Sequence, residues 1–138
     1  MTRYAIDATV ALEIVAGEIT VEPGHQLVGP GRLRSDAMAT LYEAVRAGAL
    51  EDRDARARLD ALASLKMRLL NDRASRAVAW SIAASHEWED LVVAEYLAVA
   101  RLQADALVAT DVRVLAGASA LSSGDAISLA PLEALSRA

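Results

Sequence analysis

The chain has 138 residues and a mass of 14.6 kDa, the size of one domain, and at that length roughly 70% of the extended-chain surface is buried on folding. Hydrophobic residues make up 54% and charged residues 24%, a globular rather than a disordered composition. The absence of cysteine excludes disulfides, thiolate zinc sites, iron–sulfur clusters and cysteine nucleophiles, and two histidines, His25 and His86, are too few for a histidine-rich metal site.

The net charge of −5 is unevenly spread. Residues 1–31 set Arg3 against Asp7, Glu13, Glu18 and Glu22. Residues 32–76 carry ten basic and seven acidic side chains, and residues 77–138 carry three and eight. All but one of the 14 basic residues are arginine, whose planar fork suits phosphate. An acidic protein is a poor nonspecific binder of nucleic acid. An acidic site beside an arginine-bearing segment can still act on it through bound cations, although most such arginines simply solvate helix faces. No apolar run approaches the roughly 18–20 residues of a membrane span. Met1 to Asp7 carries no signal-peptide core, so no membrane association and a cytoplasmic location are expected.

Along the chain, strands and helices alternate. Tyr4-Ala5-Ile6 reads as a buried strand ending at Asp7. Ala8 to Val15 follows as a helix, with Thr9 a candidate cap. Gly17 and Pro23-Gly24 mark a loop before a second strand at Gln26-Leu27-Val28. Leu33 to Ala47 is a helix with Leu33, Ala37, Leu41, Ala44 and Val45 on its apolar face, closed by Gly48. A helix follows from Leu50 to Leu65, then a short strand at Met67 to Leu70 and a helix from Ala74 to Ser85. Asp90 to Gln103 is a helix apolar on most sides, hence buried against something large. Ala106 to Ala109 is a strand ending at Thr110-Asp111, Val112 to Ala116 a short helix, and Ala126 to Leu129 a last strand before Pro131. Strands separated by helices imply a single α/β domain, a three-layer α/β/α sandwich around a mostly parallel sheet.

Ligand sites of such sheets lie outside the carboxyl ends of the strands. Asp7 and Asp111 stand there, Asp36 lies early in the helix after the second strand, and Asp90 opens the buried helix. Carboxylates brought together repel one another unless a cation neutralises them, and hard oxygen donors select Mg²⁺ or Mn²⁺. Such an ion can activate water against a phosphodiester. Asp111 can equally cap the helix that follows it and Asp90 can be a favourable charge at a helix N-terminus, whereas Asp7, between an apolar strand and an apolar helix, reads less readily as a mere cap.

Tyr4-Ala5-Ile6-Asp7-Ala8-Thr9 resembles the opening strand and D-x-S/T motif of PIN domains. Leu27-Val28-Gly29-Pro30 with Leu33-Arg34-Ser35-Asp36 resembles their second strand and acidic helix, and Ala106 to Asp111 their late strand ending in aspartate. Ala94 to Asp105 is similar to the late helix of the VapC-type toxins, a bacterial subgroup. The resemblance spans nearly the whole chain. It implies a Mg²⁺- or Mn²⁺-dependent endoribonuclease, the toxin of a type II toxin–antitoxin pair, with RNA as substrate, a small antitoxin protein as partner and a homodimer as its assembly. It implies catalytic and metal-binding roles for Asp7 and Asp111, and places Asp36 where the family usually has glutamate.

The family's helix aspartate falls on Val93, which cannot bind a metal. Asp90 lies one turn earlier and about 60° around the helix, so it is the candidate replacement. Glu95, about 160° from Val93, serves another face, and Glu43, about 10 Å beyond Asp36, is at most an outer ligand. Thr9, Ser35 and Thr110 flank the acids, as supports for metal-bound water or as caps. Arg34 can meet an RNA phosphate or form a surface ion pair. His25 and His86 read as surface residues, and Trp80 and Trp88 as core or interface rather than base-stacking platforms. The helix pair at 33–65 can clamp an antitoxin segment. Two readings stay open: an active nuclease using Asp7, Asp36, Asp90 and Asp111, or a degenerate PIN domain that binds RNA or protein without cleaving.

Overall fold

The computed structural model describes residues 1–138. Four strands, β1 (Thr2–Ile6), β2 (His25–Pro30), β3 (Arg68–Leu70) and β4 (Ala106–Val108), form one sheet in the order β3-β2-β1-β4. Every pairing is parallel, with Tyr4 opposite Leu27, Ala5 opposite Leu107 and Gly29 opposite Leu69. Because all strands run the same way, their carboxyl ends share one edge.

The helices are α1 (Ala8–Val15), α2 (Leu33–Arg46), α3 (Asp52–Ser64), α4 (Arg73–Ser85), α5 (Val92–Gln103) and α6 (Val112–Ala120). α5 packs on β1 and β2 and is flanked by α4 and α6, while α1, α2 and α3 pack together. The result is the expected three-layer α/β/α sandwich. Burial on both faces explains why Ala5-Ile6 of β1 and Leu107-Val108 of β4 are consecutive apolar residues rather than alternating ones. Ile6, Val28, Leu97, Val99 and Leu107 are among the fully buried side chains, each contributing about 1.5–3 kcal/mol by leaving water. In α5, Ala94 and Tyr96 to Ala100 are all buried, as its apolar composition requires. No helix is long and apolar enough to cross a membrane.

Four local expectations change, the simplest being that α6 runs on to Ala120 instead of stopping at Ala116. The last strand is reduced to one rung: Leu107 N–H donates to the Ser128 carbonyl, Ala130 N–H donates to the Leu107 carbonyl, and a single bridge joins Leu107 to Leu129. β4 ends at Val108, so no further backbone remains to pair with, and the chain turns at Pro131 into a 3₁₀ helix, Leu132–Ser136. α5 starts at Val92 instead of Asp90. The cap of α1 is Asp7, not Thr9.

That cap does more than end a helix. Asp7 is 1% exposed. Its Oδ1 accepts from Val10 N–H and the Thr9 hydroxyl, both at 2.9 Å, and its Oδ2 accepts from Thr110 N–H at 3.0 Å and Asp111 N–H at 2.9 Å. A carboxylate has about four lone-pair sites, and all are used. Burying the charge is costly without such partners. Here the N-terminus of α1 and the chain end of β4 supply them.

Replacing Asp7 with alanine strands three backbone N–H groups and removes charge-assisted bonds, so it should cost about 3 kcal/mol or more. Asp7→Asn should be nearly as damaging. Donors approach both oxygens, so the amide NH₂ must point at one donor pair. Chemical denaturation of both variants checks this; a marginal loss for Asp7→Asn would contradict it.

A second carboxylate is poorly placed. Glu13 on α1 has a buried Oε2 with no partner. Burial first, then the charges of Asp7 and Glu18, raise its pKa above the ordinary carboxylate value. A raised folded-state pKa stabilises below the unfolded value, and that benefit is lost as pH rises through the folded value. Glu13→Gln should therefore raise the melting temperature at pH 7, with the gain shrinking as pH falls towards 4.5. Thermal melts at the two pH values test it.

Candidate functional site

At the carboxyl edge of the sheet lies a pocket of about 220 Å³. β1 delivers Asp7, the start of α1 Thr9, α2 Asp36 and Glu43, and the residue after β4's loop Asp111. Arg32, just before α2, Arg113 of α6, and Val92, Val93 and Tyr96 of α5 complete its walls. Three of the four aspartates singled out in the sequence thus line one concave site, although they are up to 104 residues apart.

Asp36 is held firmly. The Arg32 Nε donates to its Oδ1 at 3.2 Å and Oδ2 at 2.9 Å, and the Tyr96 hydroxyl donates to Oδ2 at 2.7 Å. Arg32 Nη1 donates to Glu95 Oε2 at 2.7 Å. A connected chain, Tyr96–Asp36–Arg32–Glu95, therefore ties α2 to α5. Burial, and then the bond to Asp36, push the Tyr96 phenol above its ordinary pKa, so it remains a donor. For Arg32, burial opposes the charge, but the bonds to Glu95 and Asp36 outweigh it and the pKa rises.

Asp111 is held more lightly. It caps α6, its Oδ1 accepting from Arg113 N–H at 2.8 Å. Its Oδ2 meets only the exposed Arg113 Nη2, at 3.5 Å. The Thr9 and Thr110 hydroxyls lie 2.7 Å apart and lock the two strand ends beside Asp7.

The other expected residues lie elsewhere. Asp90 does not line the pocket. Its Oδ1 accepts from Val92 N–H, and it borders an adjoining, more open depression with Glu87, Trp88 and Glu89 that shares Val93 and Arg113 with the pocket. The helical rotation that aimed it at the site presupposed a helix already formed at Asp90, and the chain becomes helical only at Val92. Ser35 is exposed outside the pocket, and Arg34 also lies outside it, its Nε buried without a partner. Val93 sits in the pocket wall because it packs on Gly117 of α6, where an added Cβ would come within 2.5 Å of its Cγ1.

His25 bonds the Arg137 carbonyl and meets Tyr4 edge-on, and His86 bonds the Ile82 and Ala120 carbonyls; neither lines the acidic pocket. Both are half-buried rather than freely exposed. Trp80 is exposed on α4, and Trp88 is half-buried against the core. A larger hollow of about 680 Å³ opens near the amino ends of β1, β2 and β3, with Ile14, Ile19, Val21 and Leu65 in its walls. It gathers no carboxylate cluster, and the smaller acidic pocket at the opposite edge is the candidate site.

The donor set decides which cation the pocket suits. No three acidic or histidine side chains stand close enough to enclose an ion. Asp7 has no spare lone pair, whereas Asp36 Oδ1 and Asp111 Oδ2 each accept one contact and can take another. Mg²⁺ is commonly held by one or two carboxylates, with water and phosphate oxygens completing its shell. An ion at these carboxylates would therefore need water or phosphate oxygens to complete its shell.

Arg32, Tyr96 and Arg113 were missed in the sequence; Glu95, expected to serve another face, does lie outside the pocket and touches it only through Arg32. The spacing of Arg32 and Asp36, four residues apart, was the readable signal for one of these contacts; the contacts from α5 arise only on folding.

No protein-family model matches the chain, and no curated protein matches its sequence. Among solved structures, the chain is similar to that of PAE2754 from Pyrobaculum aerophilum, with a TM-score of 0.66 and 18% identity over 97% of this chain and 93% of that one. At that identity the likeness establishes the fold alone.

Proposed function

We propose that this chain is a PIN-like, Mg²⁺- or Mn²⁺-dependent endoribonuclease of the VapC toxin type. The observation that carries the reading is the convergence of Asp7, Asp36 and Asp111 on one pocket at the carboxyl edge of a parallel sheet. The roles differ from those expected. Asp7 is the strut that brings the two strand ends together. Asp36 and Asp111 are the residues that would hold the cation. When bound, a divalent ion would supply charge neutralisation for a phosphodiester and acidify a water. Arg113, exposed at the rim, can receive a backbone phosphate. Val92 and Val93 exclude water from one wall. Met38 and Tyr42, 51% and 65% exposed and one turn apart on α2, offer an apolar landing for an antitoxin segment next to Thr40 and Glu43 of the pocket. A homodimer belongs to the same proposal.

A second reading is favoured by the hold of Arg32 on Asp36 and by Val93 in the acid's place. In it the pocket is silent as a nuclease and receives a cationic side chain of a protein partner. Asp7, Asp36, Glu43 and Asp111 outnumber Arg32 and Arg113, so without a metal ion the pocket attracts cations and repels phosphate.

Cleavage of a single-stranded RNA in Mn²⁺ separates the two. Asp111→Asn is the informative variant, because asparagine caps a helix about as well as aspartate and the fold should survive. On the nuclease reading it lowers cleavage about 100-fold or more, the scale expected when a group contributes about 2.7 kcal/mol to the transition state. Cleavage equal to wild type in Asp111→Asn would contradict these site assignments. No cleavage by wild type at any Mn²⁺ concentration would leave the silent reading.

A further inference from the structure

We infer that Arg32 is a built-in cation that competes with a divalent metal ion for Asp36. This rests on the reading of the pocket as a cation site and says what controls its loading.

Arg32 Nε lies within 3.2 Å of both Asp36 oxygens, while Nη1 reaches Glu95 Oε2 at 2.7 Å. One planar guanidinium thus bridges two carboxylates from different helices, α2 and α5. Arginine's rigid fork loses little freedom in making these bonds. The three groups are half-buried, so their attraction is less screened than that of a surface pair. Tyr96 donates to the same Asp36 Oδ2 at 2.7 Å. Asp36 therefore has its charge matched before any ion arrives.

A divalent cation binding at Asp36 must displace part of this arrangement or share the carboxylate with a positive neighbour. Both weaken the site. Arg113 has the same charge and also lines the pocket, but it is exposed and meets Asp111 at only 3.5 Å. Arg113 is thus the internal comparison, alike in charge and unlike in grip. Arg32 is a positioning residue in this account; it sets affinity through Asp36.

Mn²⁺ titrations of the full chain test this without RNA, read by thermal shift and by the electron paramagnetic resonance signal of free Mn²⁺. Arg32→Gln should tighten Mn²⁺ binding about 10-fold, equivalent to about 1.4 kcal/mol. Arg113→Gln should change it much less. Arg32→Gln combined with Asp36→Asn should lose the gain. If Arg32→Gln folds poorly, Arg32→Lys keeps the charge without the fork and should give a smaller gain. Arg32→Gln or Arg32→Lys binding Mn²⁺ no tighter than wild type would overturn the inference, as would a gain that survives Asp36→Asn. RNA cleavage is scored separately. A wild type that cleaves RNA while the Arg32 variants gain no Mn²⁺ affinity refutes the competition and leaves the nuclease reading intact. Variants that gain affinity in a chain that never cleaves RNA support the competition and remove the nuclease reading.

Discussion

The Asp7 carboxylate accepts hydrogen bonds from two stretches of chain about a hundred residues apart, and the arrangement of the acidic pocket depends on that. Thr9 and Val10 approach one oxygen, and the Thr110 and Asp111 amides approach the other. The charge stays buried because every lone pair is matched. In return, the end of β1, the start of α1 and the segment leaving β4 are held at fixed separation. Asp111 then reaches the site as a consequence of where its own backbone N–H is anchored. A residue that sequence reasoning treats as a metal ligand is, in the folded chain, first a structural strut.

Charge is handled in two ways around the pocket. At Asp7 backbone dipoles supply the compensation. At Asp36 side chains supply it, through Arg32 and the buried Tyr96 hydroxyl. Asp111 is left with an oxygen that only an exposed arginine approaches. The three aspartates therefore stand in graded states: saturated, occupied and nearly free. This gradient sets the chemistry open to the site more than the number of carboxylates does. On the proposed nuclease reading, a divalent ion held by few protein oxygens would take the rest of its shell from water and substrate, so metal affinity and RNA binding would be coupled.

Much of this was readable before folding. The apolar runs at 4–6 and 106–109, the first ending at Asp7 and the second at Thr110-Asp111, pointed to the parallel sheet and the acids at its carboxyl edge, and the mostly apolar character of 90–103 identified the central helix. What was not readable follows from physics that acts only across space. Asp90 and Val92 differ by two positions, yet the helix begins between them, and that boundary removes Asp90 from the site. The last strand depended on how much of β4 was left to pair with, which its own sequence does not encode. Arg32 carried a local signal in its four-residue spacing to Asp36. Its second partner, Glu95, is 63 residues away, and no periodicity predicts that pair.

On the proposed reading Asp7 holds the notch together while Asp36 and Asp111 face a cation. Anomalous diffraction from crystals soaked in Mn²⁺ tests it most directly. The account predicts a peak about 2.0–2.3 Å from oxygens of Asp36 and Asp111, with Asp7 still bonded to Thr9, Val10, Thr110 and Asp111. A pocket without a peak at saturating Mn²⁺, or an ion bound by Asp7 after it has left its four donors, would contradict it.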